Sequence, residues 1–287
     1  MRLTEAALPV RMHRDGPFLL LAAPLILFLC AFYAYPVAAM LLASLHPPAW
    51  SFAEFVGLAG SHVFWRVMEV TGEISLIVTL VCLLLAWPLA YGMARLPAAR
   101  ANLLMVLVLV PFWTSILVRT YAWMALLGRR GIINNLLLWS GLIPRPLTLL
   151  NTRFSVCVAM VHVLLPFMVL PIYATLRGLD WRLARAADSL GATPWGTLRQ
   201  IVLPLSLPGT AAGVIFVFVL AIGFYITPVL VGGPSDVMIS ILINDEVGVL
   251  NWPIAAAMAA VLLAVVLLML GIFARVVGVE RIARGAP

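Results

Sequence analysis

The chain has 287 residues and contains no lysine; all 18 of its basic residues are arginines. A P-loop places a lysine ammonium on the nucleotide phosphates, so this chain cannot build one. The GxGxxG dinucleotide fingerprint is missing too. If ATP drives this protein's work, another chain must bind and hydrolyse it. Charge of either sign is scarce, at 10% of residues against about a quarter in an average soluble domain. The three cysteines, Cys30, Cys82 and Cys157, all fall in apolar runs and lack metal-ligand spacing. They read as small packing residues and argue against a disulfide framework. Four histidines are scattered too widely to propose a metal site. No nucleophile–base constellation is visible and no carboxylate pair sits at catalytic spacing in an apolar run, so the chain does not read as an enzyme.

Apolar sequence fills the space that charge leaves. Hydrophobic residues make up 64% of the chain. Several runs exceed the roughly 20 residues needed to cross a hydrocarbon core. Six spans are expected, at Phe18–Leu45, Ile74–Leu96, Leu103–Leu127, Phe154–Leu176, Leu207–Leu230 and Ile254–Val277. Their lengths suit helices, which satisfy their own backbone groups in lipid. The first run is long for a signal-peptide core and carries no convincing cleavage site, so it reads as an uncleaved span. No repeat or second domain interrupts the pattern. The expected organisation is a tail at 1–17, one all-α transmembrane domain at 18–278 and a tail at 279–287.

Arginine placement gives the orientation. Twelve arginines lie on one set of ends and loops, including Arg95, Arg100, Arg177, Arg182, Arg185, Arg199 and Arg275. Five, namely Arg66, Arg129, Arg130, Arg145 and Arg153, lie on the other. The positive-inside rule makes the first set, with both termini, cytoplasmic. The net charge of +7 then reflects topology and anionic lipid headgroups. No aromatic–basic interleaving accompanies it, so it is no argument for nucleic acid.

One cytoplasmic segment, residues 178–206, is too polar and too broken to cross a bilayer, yet it is closely patterned. Asp180 can cap a short helix over Trp181–Leu190, ended by Gly191 in the left-handed region. Leu183, Ala187 and Leu190 share one face at helical spacing; Arg182, Arg185 and Ser189 line another, with Asp188 beside them. Thr193 caps a second short helix with Pro194 at its first position, and Pro204 and Pro208 are expected to stop it. An amphipathic pair lying on headgroups is the plain alternative. The small residues Ala186, Ala187, Gly191 and Ala192 instead suit close approach by another protein's backbone.

The stretch "AADSLGATPWGTLRQIVLP" resembles the cytoplasmic loop of binding-protein-dependent ABC importer permeases, whose pattern is E-A-A, three residues, G, nine residues, I-x-L-P. Ala186, Ala187, Gly191, Ile201, Leu203 and Pro204 match with the spacing intact. "PFWTSILVRTYAWMALLGRRGIINNLLL", "LLPFMVLPIYATL" and "GFYITPVLVGGP" are similar to the spermidine/putrescine-type subfamily. The resemblance covers about Ile74 to Val277. It implies the MetI-like bundle of six transmembrane helices and a bacterial inner-membrane location. It also implies a second permease, two copies of an ATPase that binds ATP and Mg, and an extracytoplasmic solute-binding protein. In the family this loop is the coupling helix that seats in the ATPase. Here the family's leading glutamate is Arg185, a reversal of charge. Either Asp188 supplies the acidic contact, the ATPase groove has changed to match, or the loop is degenerate on one half of a heterodimer.

A substrate path is sought among polar residues inside spans. Arg119 is the one charge placed well inside, and an intramembrane arginine is a functional hypothesis by default. Tyr121 and Trp123, with Thr120, could line a polar path beside it; alternatively Arg119 lies at the outer end of its span and snorkels outward. Tyr225, Thr227 and Pro228 mark a break near the end of the fifth span, and interrupted helices at depth often line cavities. Pro166 and Pro171 are expected to kink the fourth span. His162 reads as a packed, hydrogen-bonded residue. No acid falls within the spans so drawn, as a polycation path would be expected to carry, so neutral, zwitterionic or anionic solutes stay open beside polyamines. An ion-coupled secondary transporter and a non-transport scaffold are the rival classes. The first would be expected to carry intramembrane acids, and the second leaves the patterned loop without a purpose.

Overall fold

The computed structural model describes residues 16–45 and 50–277, with side chains at 22–45 and 50–275. The C-terminal tail, residues 1–15 of the N-terminal tail and the arginines counted there lie outside the described residues. Among the described residues the chain is helical and has no strand.

The first span comprises α1 (Gly16–Leu29), a π-helical turn (Cys30–Ala34) and α2 (Tyr35–Ala43). A short helix, α3 (Ala53–Gly60), leads into α4 (His62–Arg95), capped by the Ser61 hydroxyl accepting from the Phe64 N–H at 3.2 Å. At 34 residues α4 begins twelve residues before the expected Ile74. Its N-terminal turns carry Glu69 and Glu73, so acids do stand on this helix. Both are engaged, Glu69 with Arg66 at 2.6 Å and Glu73 with Arg153.

The expected third span is broken. α5 (Ala98–Trp113) and α6 (Ile116–Leu127) meet at a 96° bend at Thr114–Ser115, and α7 (Ile132–Trp139) follows. Pro111 already lacks the N–H for its own helical bond. Its carbonyl accepts from both the Thr114 N–H, at 3.2 Å, and the Thr114 hydroxyl, at 2.8 Å. The acceptor that Ser115 would need to continue the helix is thus taken, and Thr114 and Ser115 turn extended.

α8 (Arg153–Arg177) runs through Pro166 and Pro171 as one helix. α9 (Trp181–Ser189) and α10 (Pro194–Thr197) form the elbow. α10 does not stop at Pro204. A π-helical turn (Leu198–Val202) carries it directly into α11 (Leu203–Ile222), so Pro194–Ile222 is a single 29-residue span. The wider turn relieves the clash of the Pro204 ring with the preceding turn and needs no proline N–H. α11 ends at Gly223, short of the expected Leu230. After the break come α12 (Ile226–Val231), α13 (Ile239–Gly248) and α14 (Trp252–Val277). Among the described residues, five helices are long and apolar enough to cross a membrane, and counting the bent pair as one span brings the total to six.

The core is the packing of α4, α8 and α11. Ile74, Val78, Cys82, Ala86 and Ala90 run down α4 at four-residue spacing, each fully buried. Met160, Leu164, Met168, Ile172 and Leu176 do the same on α8, at or near full burial. Rows at this spacing form the ridges that interdigitate when helices pack. α11 adds Gly209, Gly213, Val217 and Ala221. A Cβ on Gly209 would stand 2.1 Å from Thr175 Oγ1 and 2.5 Å from the Pro171 carbonyl. These glycines let the α11 backbone press on α8, the GxxxG device of membrane helices. A smaller cluster of Leu58, Phe64, Val67, Ile239, Ala257 and Met258 joins α3, α13 and α14 to the N-terminal end of α4.

Candidate coupling elbow and translocation path

The two ends of the bundle differ in chemistry. At the end away from the elbow, Arg153 opens α8 and binds both Glu73 of α4 and Asp236 of the α12–α13 loop, the latter at 3.2 Å. Asp236 is buried, at 4% exposure. The Val231 carbonyl accepts from the Asn151 N–H at 3.1 Å and the Ser155 hydroxyl at 2.7 Å. The loop after α12 is therefore strapped to the start of α8 by charge-assisted and neutral bonds.

The elbow is built as its residues dictate. The Asp180 carboxylate accepts from the Arg182 N–H at 2.9 Å, and Gly191 adopts φ +84°. The Thr193 hydroxyl accepts from the Gly196 N–H at 3.1 Å, with Pro194 opening α10. Leu183 and Leu190 are 51% and 89% exposed, and the residue buried against the bundle is Ala184. Arg182, Arg185, Ala186, Gly191 and Ala192 are also exposed, while Ala187 is half-buried. Ile201 is half-buried in the π-helical turn, and Leu203 and Pro204 are exposed beyond it. Asp188 is exposed as well, with its Oδ1 accepting from the Thr197 hydroxyl at 2.9 Å. That bond ties α9 to α10.

The path residues separate. Thr227 is fully buried on α12 and pairs with the Thr120 hydroxyl of α6 at 3.2 Å. It locks two helices together instead of facing open volume. Trp123 donates through Nε1 to His162 Nδ1 at 3.1 Å, which makes His162 the packed partner expected of it. His162 also borders a cavity of about 360 Å³ between α4, α5 and α8, lined with Leu89, Leu104, Val108 and Pro111. Arg119 lies one turn past the bend, half-buried, with its Nε enclosed and unbonded among the described residues. Tyr121 is 56% exposed and Tyr225 half-buried beside the α11–α12 break. Trp123 and His162 are thus brought together near open volume, whereas Thr227 is removed from it.

Residues 83–281 match the family described as "Binding-protein-dependent transport system inner membrane component". The chain belongs to that family. It is 33% identical over 245 residues to the spermidine/putrescine transport system permease protein PotB of Haemophilus influenzae, covering 85% of this chain and 81% of that one. A shorter stretch of 105 residues is 38% identical to the permease protein PotC of Escherichia coli, covering 37% and 40%. Among solved structures, a chain of a bacterial alginate ABC transporter, in complex with an alginate-bound periplasmic protein, superposes with a TM-score of 0.74 at 21% identity, covering 91% of this chain and 94% of that one. The chain is thus a multi-pass membrane permease of a binding-protein-dependent ABC importer, with the MetI-like fold.

Four features escaped the sequence reading: the Gly209–Gly213 contact, the Thr120–Thr227 pair, the Glu73–Arg153–Asp236 triangle and an aromatic column at the foot of α4. Only the first had a sequence signal, the G-x-x-x-G spacing itself.

Proposed function

We propose that this permease forms one half of the membrane pore, paired with a second permease of PotC type, in the bacterial inner membrane with both termini cytoplasmic. Two copies of a separate ATPase bind ATP and Mg and seat against the elbows of the two halves. An extracytoplasmic binding protein delivers solute at the end carrying Glu73, Arg153 and Asp236. Alternating access then moves a polyamine or related amino compound through the bundle.

The observation that carries this reading is the elbow. Two capped short helices, locked to each other by Asp188 and Thr197, present Arg182, Leu183, Arg185 and Leu190 outward at one end of the bundle. An exposed and partly apolar knob suits a protein groove. Copurification of the cognate ATPase tests it. Gly191→Val places a β-branched residue at φ +84°, where only glycine is relaxed, and is expected to abolish retention. Retention undiminished by Gly191→Val counts against the elbow as the docking element.

A second reading concerns the solute. Arg119 stands at the bend with its Nε unbonded among the described residues, and the α4 acids are tied to arginines. That balance favours a neutral, zwitterionic or anionic solute over a polycation. The ligand retained by the purified binding protein decides between the two.

A further inference from the structure

At the foot of α4, four aromatic and cationic side chains stand in a column that leads from the elbow into the core. The Arg95 guanidinium lies in the wedge between two rings, 5.0 Å from the Tyr91 centroid and 5.3 Å from that of Trp181. Trp181 is the first residue of α9, and its ring meets Tyr91 at 6.2 Å and 57°. Tyr91 stacks on Trp87 at 5.5 Å and 9°. Trp87 then donates through Nε1 to the Ser206 hydroxyl of α11 at 3.3 Å, and Ser206 is fully buried.

The surroundings give this column a mechanical meaning. Between the end of α4 and α9 lies an open notch of about 310 Å³ lined by Ala94, Arg95, Trp181, Ala184, Arg185 and Asp188. α9 is thus not packed flat on α4 but meets it beside a gap. The elbow is joined covalently to α8 through residues 178–180 and to α11 through the π-helical turn, but not to α4. α4 can follow the elbow only through side-chain contacts: indirectly, by its core packing on α8 and α11, and directly, by this column. A guanidinium between two rings suits the task, because cation–π attraction is broad in angle and tolerates sliding.

We infer that the Trp181–Arg95–Tyr91–Trp87 column makes α4 follow α9 when the elbow moves, so that Arg95 and Trp181 are positioning residues for coupling and not for docking. The inference rests on the proposed ATPase-driven function and adds the route by which the motion enters the core.

The test uses the full importer, with partner permease and ATPase, in lipid nanodiscs. Cys30, Cys82 and Cys157 are replaced by alanine, and nitroxide labels are placed on Gly92→Cys of α4 and Ser189→Cys of α9. Neither of these two residues is buried. Distances are read by pulsed electron paramagnetic resonance without nucleotide and in the vanadate-trapped ATP state. With Arg95 and Trp181 intact, the separation stays narrow and equal in both states. In Arg95→Ala and Trp181→Ala, ATPase retention persists, but the distribution broadens and shifts on trapping. Uptake per ATP, with labelled putrescine as the first probe, falls by about three- to tenfold, the equilibrium change that one lost cation–π contact supplies. Arg95→Lys and Trp181→Phe, which keep a cation and a ring, recover most of the narrow distribution.

An unchanged narrow distribution in both alanine variants overturns the inference, because α4 then follows α9 without the column. Loss of ATPase retention in those variants also overturns it, since the column would then serve docking. If the unsubstituted chain retains no ATPase, the reading of the function falls first and this inference goes with it.

Discussion

Asp188 shows how one side chain can be assigned two opposite jobs. Sequence alone offers it as a replacement for the family glutamate, which Arg185 has displaced. The structure turns one of its oxygens onto Thr197. The two roles predict different outcomes. If Asp188 is a link within the elbow, Asp188→Asn keeps an oxygen acceptor and leaves ATP-driven uptake near normal, while Asp188→Ala and Thr197→Val both impair it. If its charge meets the ATPase, Asn and Ala fail alike and Thr197→Val is silent. Uptake rates of the three variants therefore separate the roles, and the first pattern is expected. At the opposite end, Arg153 serves two carboxylates, one of them buried. Arg153→Ala leaves Asp236 with a serine hydroxyl and little else, and is expected to cost about 1.5–3 kcal/mol, the worth of a hydrogen bond to a charged group. Thermal unfolding in detergent reads that loss directly, with Glu73→Gln expected to cost less because Glu73 is 43% exposed.

Among elements, α11 carries the sharpest constraint. Gly209→Ala would force a methyl to within 2.5 Å of the Pro171 carbonyl, a backbone atom that cannot rotate aside. The expected loss is about 1–3 kcal/mol, as for overpacking in a full core. Adding Thr175→Ala removes the hydroxyl contact but not the carbonyl, so it recovers stability only in part. Fluorescence-detected size-exclusion after a temperature series measures both. The elements also show where sequence reading succeeds. The caps of α9 and α10 were legible because a cap is local: Asp180, Gly191, Thr193 and Pro194 each act on neighbours within a few residues. The bend after α5 was not legible. It depends on one hydroxyl, that of Thr114, reaching a carbonyl three residues back, and many threonines in helices do nothing of the kind. Prolines misled in the other direction: Pro204 lies where a helix was expected to stop, and a π-helical turn carries the chain past it.

For the molecule as a whole, hydropathy located the spans because the bilayer fixes both helix length and apolar content. It missed the N-terminal extension of α4, whose Arg66, Glu69 and Glu73 break the apolar run without breaking the helix. The path residues were the least legible part. Thr227 and Trp123 both looked like polar groups lining a route, yet Thr227 was claimed by Thr120 and Trp123 by His162. Such pairings join residues 107 and 39 positions apart, a distance over which no single-sequence pattern reports.

The first span stands apart from all of this. None of the residues from Ala22 to Ala43 is buried, and among the described residues the helix rests chiefly against α14. It therefore lends almost nothing to the cohesion of the three-helix core. A version of the protein lacking this segment should still unfold at nearly the same temperature, provided that detergent covers the flank of α14. What such a truncation would sacrifice is whatever the missing helix leans on in the assembled importer, a fitting that can be refashioned without disturbing the hull.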